Sequence, residues 1–164
     1  MPGKFTSRTS WREKLEHPKP KLPKIVPIPP KMATRLGRGT LVIPHPLQVD
    51  ALIRKVRRGK LVTQTRIRQA LARRCKATMA CPITTGIFVR IAAEAAEEDR
   101  RAGRRTITPY WRVVRDDGSL IEKFPGGVNR QAARLRIEGH RITPGLGRRP
   151  PRVEKNEAAL ALLK

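Results

Sequence analysis

Aromatic residues are scarce in this 164-residue chain: two Trp, three Phe and one Tyr, 4% of the sequence. Proteins that hold RNA or single strands stack bases on rings, and so few rings argue against that mode. Acidic residues are few as well, 13 Asp and Glu against 37 Lys and Arg, a formal balance of +24. Self-repulsion on that scale is destabilising, and a polyanionic partner is the simplest reason to keep it. Double-stranded DNA is the favoured partner, with an anionic membrane surface as the main competitor. Cysteine is limited to Cys75 and Cys81, and His17, His45 and His140 are scattered. No cluster has zinc spacing, so neither a metal nor a cofactor is expected. Two cysteines without a secretory signal fit a reducing cytosol, and a cytoplasmic, nucleoid-associated monomer is the expectation. No run of about 18 apolar residues occurs, so no spanning helix is expected.

Proline, by contrast, is abundant at one end. Residues 1–48 hold nine of the fifteen prolines, with ten basic and two acidic residues. The stretch Pro18 to Pro30 alternates proline with lysine and aliphatics. Such density disfavours helix and central strand, which suggests an extended basic arm over the domain or along DNA, or else a solvated linker. Ser10 to Glu16 fits one short helical turn. Residues 49–142 form the expected domain, and 143–164 a basic tail ending in the apolar stretch Ala158 to Leu163.

Within the domain, Asp50 reads as the N-cap of a helix over Ala51 to Arg58, ended by Gly59. Thr63 or Thr65 caps a second helix through Arg74, with Ile67, Ala70 and Leu71 inward. Residues 49–76 carry ten basic residues and one acidic. A third helix starts near Pro82, ends in Glu94, Glu97, Glu98 and Asp99, and stops at Gly103. Ile107 to Val114 reads as strand, Asp117-Gly118 as a hairpin turn and Leu120 to Phe124 as the returning strand. A last helix spans Asn129 to Ile137. The fold class is thus α+β, mainly helical: helix-turn-helix followed by a small antiparallel hairpin, in winged-helix order. On a helical wheel, Ile83, Ile87, Ile91 and Ala95 of the third helix point to the core. Thr85, Gly86, Val89, Arg90 and Ala93 fall opposite, a small-residue face that suits close backbone approach to a groove or packing against the arm.

The segment Thr108-Pro-Tyr-Trp-Arg-Val-Val-Arg-Asp-Asp-Gly-Ser, then Gly126-Gly127, Arg130-Gln131 and Glu138-Gly139, resembles the active-site half of the alkylguanine-DNA alkyltransferases. That family reads Pro-Cys-His-Arg-Val, a glycine-rich loop, and a helix ending in Glu-Gly. Gly59-Lys-Leu-Val-Thr-Gln-Thr-Arg-Ile-Arg resembles the turn and helix that open its DNA-binding domain. The resemblance covers roughly residues 49–142, without a counterpart of the family's N-terminal domain. It implies DNA contact by Thr63, Gln64, Thr65, Arg66 and Arg68, and by Thr84, Thr85, Gly86 and Arg90. It implies a base pocket around Tyr110, Trp111, Arg112, Gly126, Gly127 and Glu138.

The departures bear on chemistry. Tyr110 stands where the family has its acceptor cysteine and Trp111 where it has histidine, while Pro109, Arg112 and Val113 match and Glu138 falls on the relay glutamate. A phenol with pKa near 10 is a poor soft nucleophile at neutral pH, and an indole is no base. No catalytic residue is therefore expected at this position. The family's alkyltransferase-like members also lack the cysteine, carry tryptophan there, and hand damaged sites to nucleotide excision repair. They imply a non-enzymatic reader of alkylated or distorted bases, with repair proteins as partners. Tyr110 and Trp111 would then wall the pocket, unless they are simply core residues. Gln64 falls on the phosphate-turning tyrosine, Thr84 or Thr85 near the arginine that fills the vacated stack, with Arg90 one turn on, and Ala102 on the hinge asparagine. Two alternatives stay open: an alkyltransferase with a relocated acceptor, Cys81 or Cys75, and a general basic nucleic-acid binder.

Overall fold

The computed structural model describes residues 9–18, 21–154 and 157–163. Its axis is the longest helix, α5 (Pro82–Arg101), which begins as expected on a first-turn proline and is followed by Gly103 in the left-handed region. Ala92, Ala93, Ala95 and Ala96 are buried along it. Side chains this small let neighbouring helices come close. α1 (Trp11–Glu16) and α3 (Pro46–Arg54) pack there, contributing Leu15, Val49, Leu52 and Ile53 to the core. α4 (Gln64–Cys75) is the helix the sequence predicts: the Thr63 hydroxyl accepts from the Arg66 amide at 3.2 Å, and Ile67, Ala70 and Leu71 are fully buried.

The described part of residues 1–48 is folded rather than an extended arm. After α1 come β1 (Lys24–Pro27), α2 (Pro30–Leu36) and β2 (Thr40–Ile43). β2 runs antiparallel to β1 and parallel to β4 (Met79–Ala80), in the order β1-β2-β4. The prolines occupy tolerated positions. Pro27 ends an edge strand, and Pro30 and Pro46 open helices. Within the Pro18 to Pro30 stretch, Lys19 and Pro20 lie outside the described residues, as does the start of the arm, residues 1–8.

Two further expectations are corrected. The helix expected over Ala51 to Arg58 starts earlier, because His45 and Gln48 form a reciprocal capping box at its start. Asp50 is therefore not a cap. It is buried within α3, accepting from Thr108 Oγ1 at 2.6 Å and Arg54 Nε at 2.8 Å. The hairpin expected between residues 107 and 124 does not form either. Tyr110–Arg112 is a single 3-10 turn, and β5 (Val113–Val114) pairs in parallel with β3 (Val62–Thr63). Gly118 does turn the chain at φ +87°, but the Leu120 amide then donates to Pro151 and the Val153 amide to Gly118. The returning segment is thus held by the tail. The small antiparallel pair is instead β6 (Ile142–Thr143) with β7 (Arg152–Val153). The end of the tail is docked too: Leu160 and Leu163 are buried, and Leu61 exchanges backbone bonds with Ala159 and Ala161. α6 (Gly127–Ile137) lies between these pieces.

Candidate nucleic-acid interface

The wheel prediction for α5 holds at Ala95, which is buried, and at Ile91, which packs partly against the core, but fails over the first turns of the helix. Thr85, Val89 and Ala93 face the core, while Ile83 and Ile87 are exposed at 66% and 51%. The reason lies further along the helix: the alanine face wins the close packing with α1 and α3, and the bulkier isoleucines are left outside. Of the residues expected on the groove face, Gly86 and Arg90 remain accessible. The Thr84 and Thr85 hydroxyls are shielded from solvent and find no hydrogen-bond partner among the described residues.

This exposed half of α5 forms one wall of a groove of about 690 Å³. Ile87, Ile121 and Phe124 line its apolar part; Lys14, Arg90, Arg115 and Lys123 supply cations; no described lining residue is acidic. Gln64, at the start of α4, also lines it. A cationic groove with an apolar floor suits a nucleotide, which joins a flat hydrophobic ring to a phosphate.

The other α4 residues are partly engaged. Thr63 is buried as the cap. Thr65 donates from its hydroxyl to Asp116 at 2.6 Å, and Arg68 donates to the Thr65 hydroxyl at 2.8 Å. Arg66 donates to Glu157 at 3.0 Å and to the Ala161 carbonyl at 3.2 Å, so the tail occupies it.

The residues expected to wall the base pocket lie elsewhere. Tyr110 is fully buried, edge-on to Phe124 with ring centroids 5.2 Å apart, so Phe124 rather than Tyr110 lines the groove. Its hydroxyl donates to Glu97 at 2.7 Å. Glu97, in the acidic end of α5, is completely buried and also accepts from Arg100 at 2.6 Å and Arg134 at 2.7 Å. Burial opposes its ionisation, but the Tyr110 and Arg100 hydrogen bonds and the Arg134 charge outweigh it and hold the carboxyl below its ordinary range. Burial, and then the bond to Glu97, push the Tyr110 phenol above its ordinary value. A carboxylate therefore does stand beside Tyr110, yet the pair favours a protonated phenol.

Trp111, Arg112 and Glu138 form a second cluster. Glu138 accepts from Trp111 Nε1 at 2.9 Å, from Arg112 Nη2 at 2.7 Å and from the Gly59 amide at 3.3 Å. Burial works against its charge, but the bonds from Arg112, Trp111 and Gly59 keep its pKa low. Arg112 also donates to the Val56 carbonyl, tying α3's end to the cluster. Trp111 and Glu138, which fall on the family's histidine and relay-glutamate positions, are thus hydrogen-bonded through an indole that carries no proton onward. Gly126 and Gly127, at φ +77° and +68°, make the turn into α6 that only glycine adopts easily and lie away from the groove. Neither cysteine lines the groove: Cys81 is buried against Ile28 and Leu41, and Cys75 packs at the core's edge near Gln48.

No family model and no curated protein matches the chain. Among solved structures, the chain is similar to the S. pombe alkyltransferase-like protein Atl1 in complex with damaged DNA containing O6-carboxymethylguanine, at 19% identity and a TM-score of 0.45. The match covers 66% of this chain and 87% of that one.

Proposed function

We propose that the chain is a non-enzymatic, alkyltransferase-like DNA-binding protein that reads alkylated or distorted bases. The observation that carries this reading is the groove beside α5, with four cations, no acidic residue among the described residues that line it, and an apolar part formed by Ile87, Ile121 and Phe124. The ordered motif resemblance over residues 49–142 supports it independently. Tyr110 as a buried, protonated phenol supports the non-enzymatic part, and with neither cysteine among the groove's lining residues nothing favours a relocated acceptor. α5 and the start of α4 would lie against the duplex, and the groove would take a base out of the stack. Extrusion costs least where pairing is already weakened, which itself favours damaged sites.

The test compares affinity for a duplex carrying one O6-alkylguanine with the same duplex carrying guanine, followed by intact-protein mass spectrometry. Tighter binding to the lesion with no mass gain is expected. Equal affinity for both would reduce the protein to a general DNA binder. A gain of one alkyl group, lost on Cys81→Ser or Cys75→Ser, would make it an alkyltransferase.

A further inference from the structure

The groove has one ring that the family-like region does not supply. Trp11, in α1, lines it together with Phe124 and packs partly against the core. Its position is fixed from below. The Trp11 and Arg12 amides donate to Glu98 at 3.1 and 2.8 Å, Arg12 pairs with Asp99, and Ser10 caps α1 by accepting from the Glu13 amide at 3.0 Å. The acidic end of α5 therefore serves as a clamp that sets an indole at the groove wall. Two cations attend that ring: Lys14 Nζ is 4.2 Å from its centroid and Arg90 Cζ 5.9 Å.

We infer that Trp11 is the stacking platform of the groove, holding an unstacked DNA base, with Lys14 and Arg90 exchanging the ring for the flanking phosphates. This inference rests on the base-reading function proposed above and assigns it to a residue outside the family-like region. Three features carry it. The indole is the largest ring on the groove, its place is set across two helices because the Trp11 and Arg12 amides that open α1 are held by Glu98 of α5, and the cations over it are those a phosphate would attract. Tyr110, the ring the motif would suggest, is buried behind Phe124 and cannot stack on a ligand.

The probe is a duplex with one 2-aminopurine·cytosine mismatch, with a fully paired duplex as reference. 2-Aminopurine brightens when it leaves the base stack and is quenched on an indole. Wild type should bind the mismatch more tightly and keep the probe dim. Trp11→Ala should lose roughly 5- to 100-fold on the mismatch, the range of base–aromatic contacts, hold the reference duplex within about 2-fold, and leave the bound probe bright. Trp11→Phe, which keeps a ring and the packing of α1, should recover most of the mismatch affinity. Lys14→Ala should weaken both duplexes and flatten the salt dependence by about 0.9 in log–log slope. Equal loss on both duplexes by Trp11→Ala, with lowered thermal stability and no rescue beyond stability by Trp11→Phe, would make Trp11 a strut and overturn the assignment. Unchanged preference and a dim probe in Trp11→Ala would overturn it as well, while leaving base reading intact. No mismatch preference in wild type would instead overturn base reading itself.

Discussion

The Tyr110 hydroxyl lies 2.7 Å from Glu97 Oε1, and both side chains are buried. A phenol in the acceptor position is thereby used as a donor to a carboxylate that also neutralises Arg134 and Arg100. Tyr110→Phe removes a hydrogen bond to a charged group and should cost about 1.5–3 kcal/mol, read as a lowered Tm. The folded-state pKa of Tyr110 is raised, so its contribution is complete below the unfolded value of about 10 and is lost as pH rises through the folded one. Wild type should lose stability above about pH 10 more steeply than Tyr110→Phe. Parallel alkaline limbs for the two proteins would contradict the pairing.

Glu138 predicts the opposite limb. Its folded pKa is depressed, so the stability it contributes is present above the unfolded value of about 4.3 and is lost as pH falls through the folded one. Glu138→Gln keeps the shape but leaves Arg112, at 13% side-chain exposure, without its anion. A loss of about 3–5 kcal/mol at neutral pH is expected, together with a flatter acid limb in urea unfolding below about pH 5. An unchanged midpoint would mean that the Trp111–Arg112–Glu138 cluster is not structural.

Much of the fold was legible where one local signal decided the outcome. Thr63 capping α4, Pro82 opening α5 and Gly103 following it are set by side chain to backbone chemistry within a few residues. The face of α5 was not legible, because both candidate faces are apolar. Choosing between Ile83 and Ile87 on one side and the alanines on the other depends on which helices pack there, and although Ser10 to Glu16 reads as a helical turn, nothing local to it says that it packs on α5. The burial of Glu97 was not legible either. Three arginines and a tyrosine from three separate segments surround it, and no window of sequence displays that. For the site, Gly86 and Arg90 are accessible, as the helical wheel places them, while the core alternative for Tyr110 could not be decided locally because the Glu97 and Phe124 side chains that enclose it come from other segments.

Binding should be strongly salt-dependent. The groove presents Lys14, Arg90, Arg115 and Lys123, and α4 adds further basic residues, although Arg66 is occupied by the tail. With about 0.9 per phosphate neutralised, a log–log slope magnitude of roughly 4 to 8 is expected on intact duplex. A magnitude near 1, from titrations at several salt concentrations, would remove the electrostatic basis of the interface.

Gly86→Leu separates fold from binding by moving them in opposite directions. Gly86 sits in the middle of α5's first half, and a Cβ built there meets nothing within 4 Å. Its backbone is helical, so a side chain brings no strain. Replacing glycine inside a helix with leucine should stabilise by up to about 1 kcal/mol, from reduced backbone entropy in the unfolded chain. The same side chain projects into the groove between Ile83, Ile87 and Arg90, occupying space that a base or sugar would need. Tm should therefore hold or rise while duplex affinity falls, by at least about 10-fold, or 1.4 kcal/mol. No charge changes, so the salt slope should stay near the wild-type value even as affinity drops. Arg90→Ala is the complementary case: it removes one cation that lies half-exposed and only 4.0 Å from Glu94, so general affinity should fall less than in Gly86→Leu and the slope should flatten. Unimpaired binding by Gly86→Leu, with cooperative unfolding, would assign DNA contact to another face of the molecule.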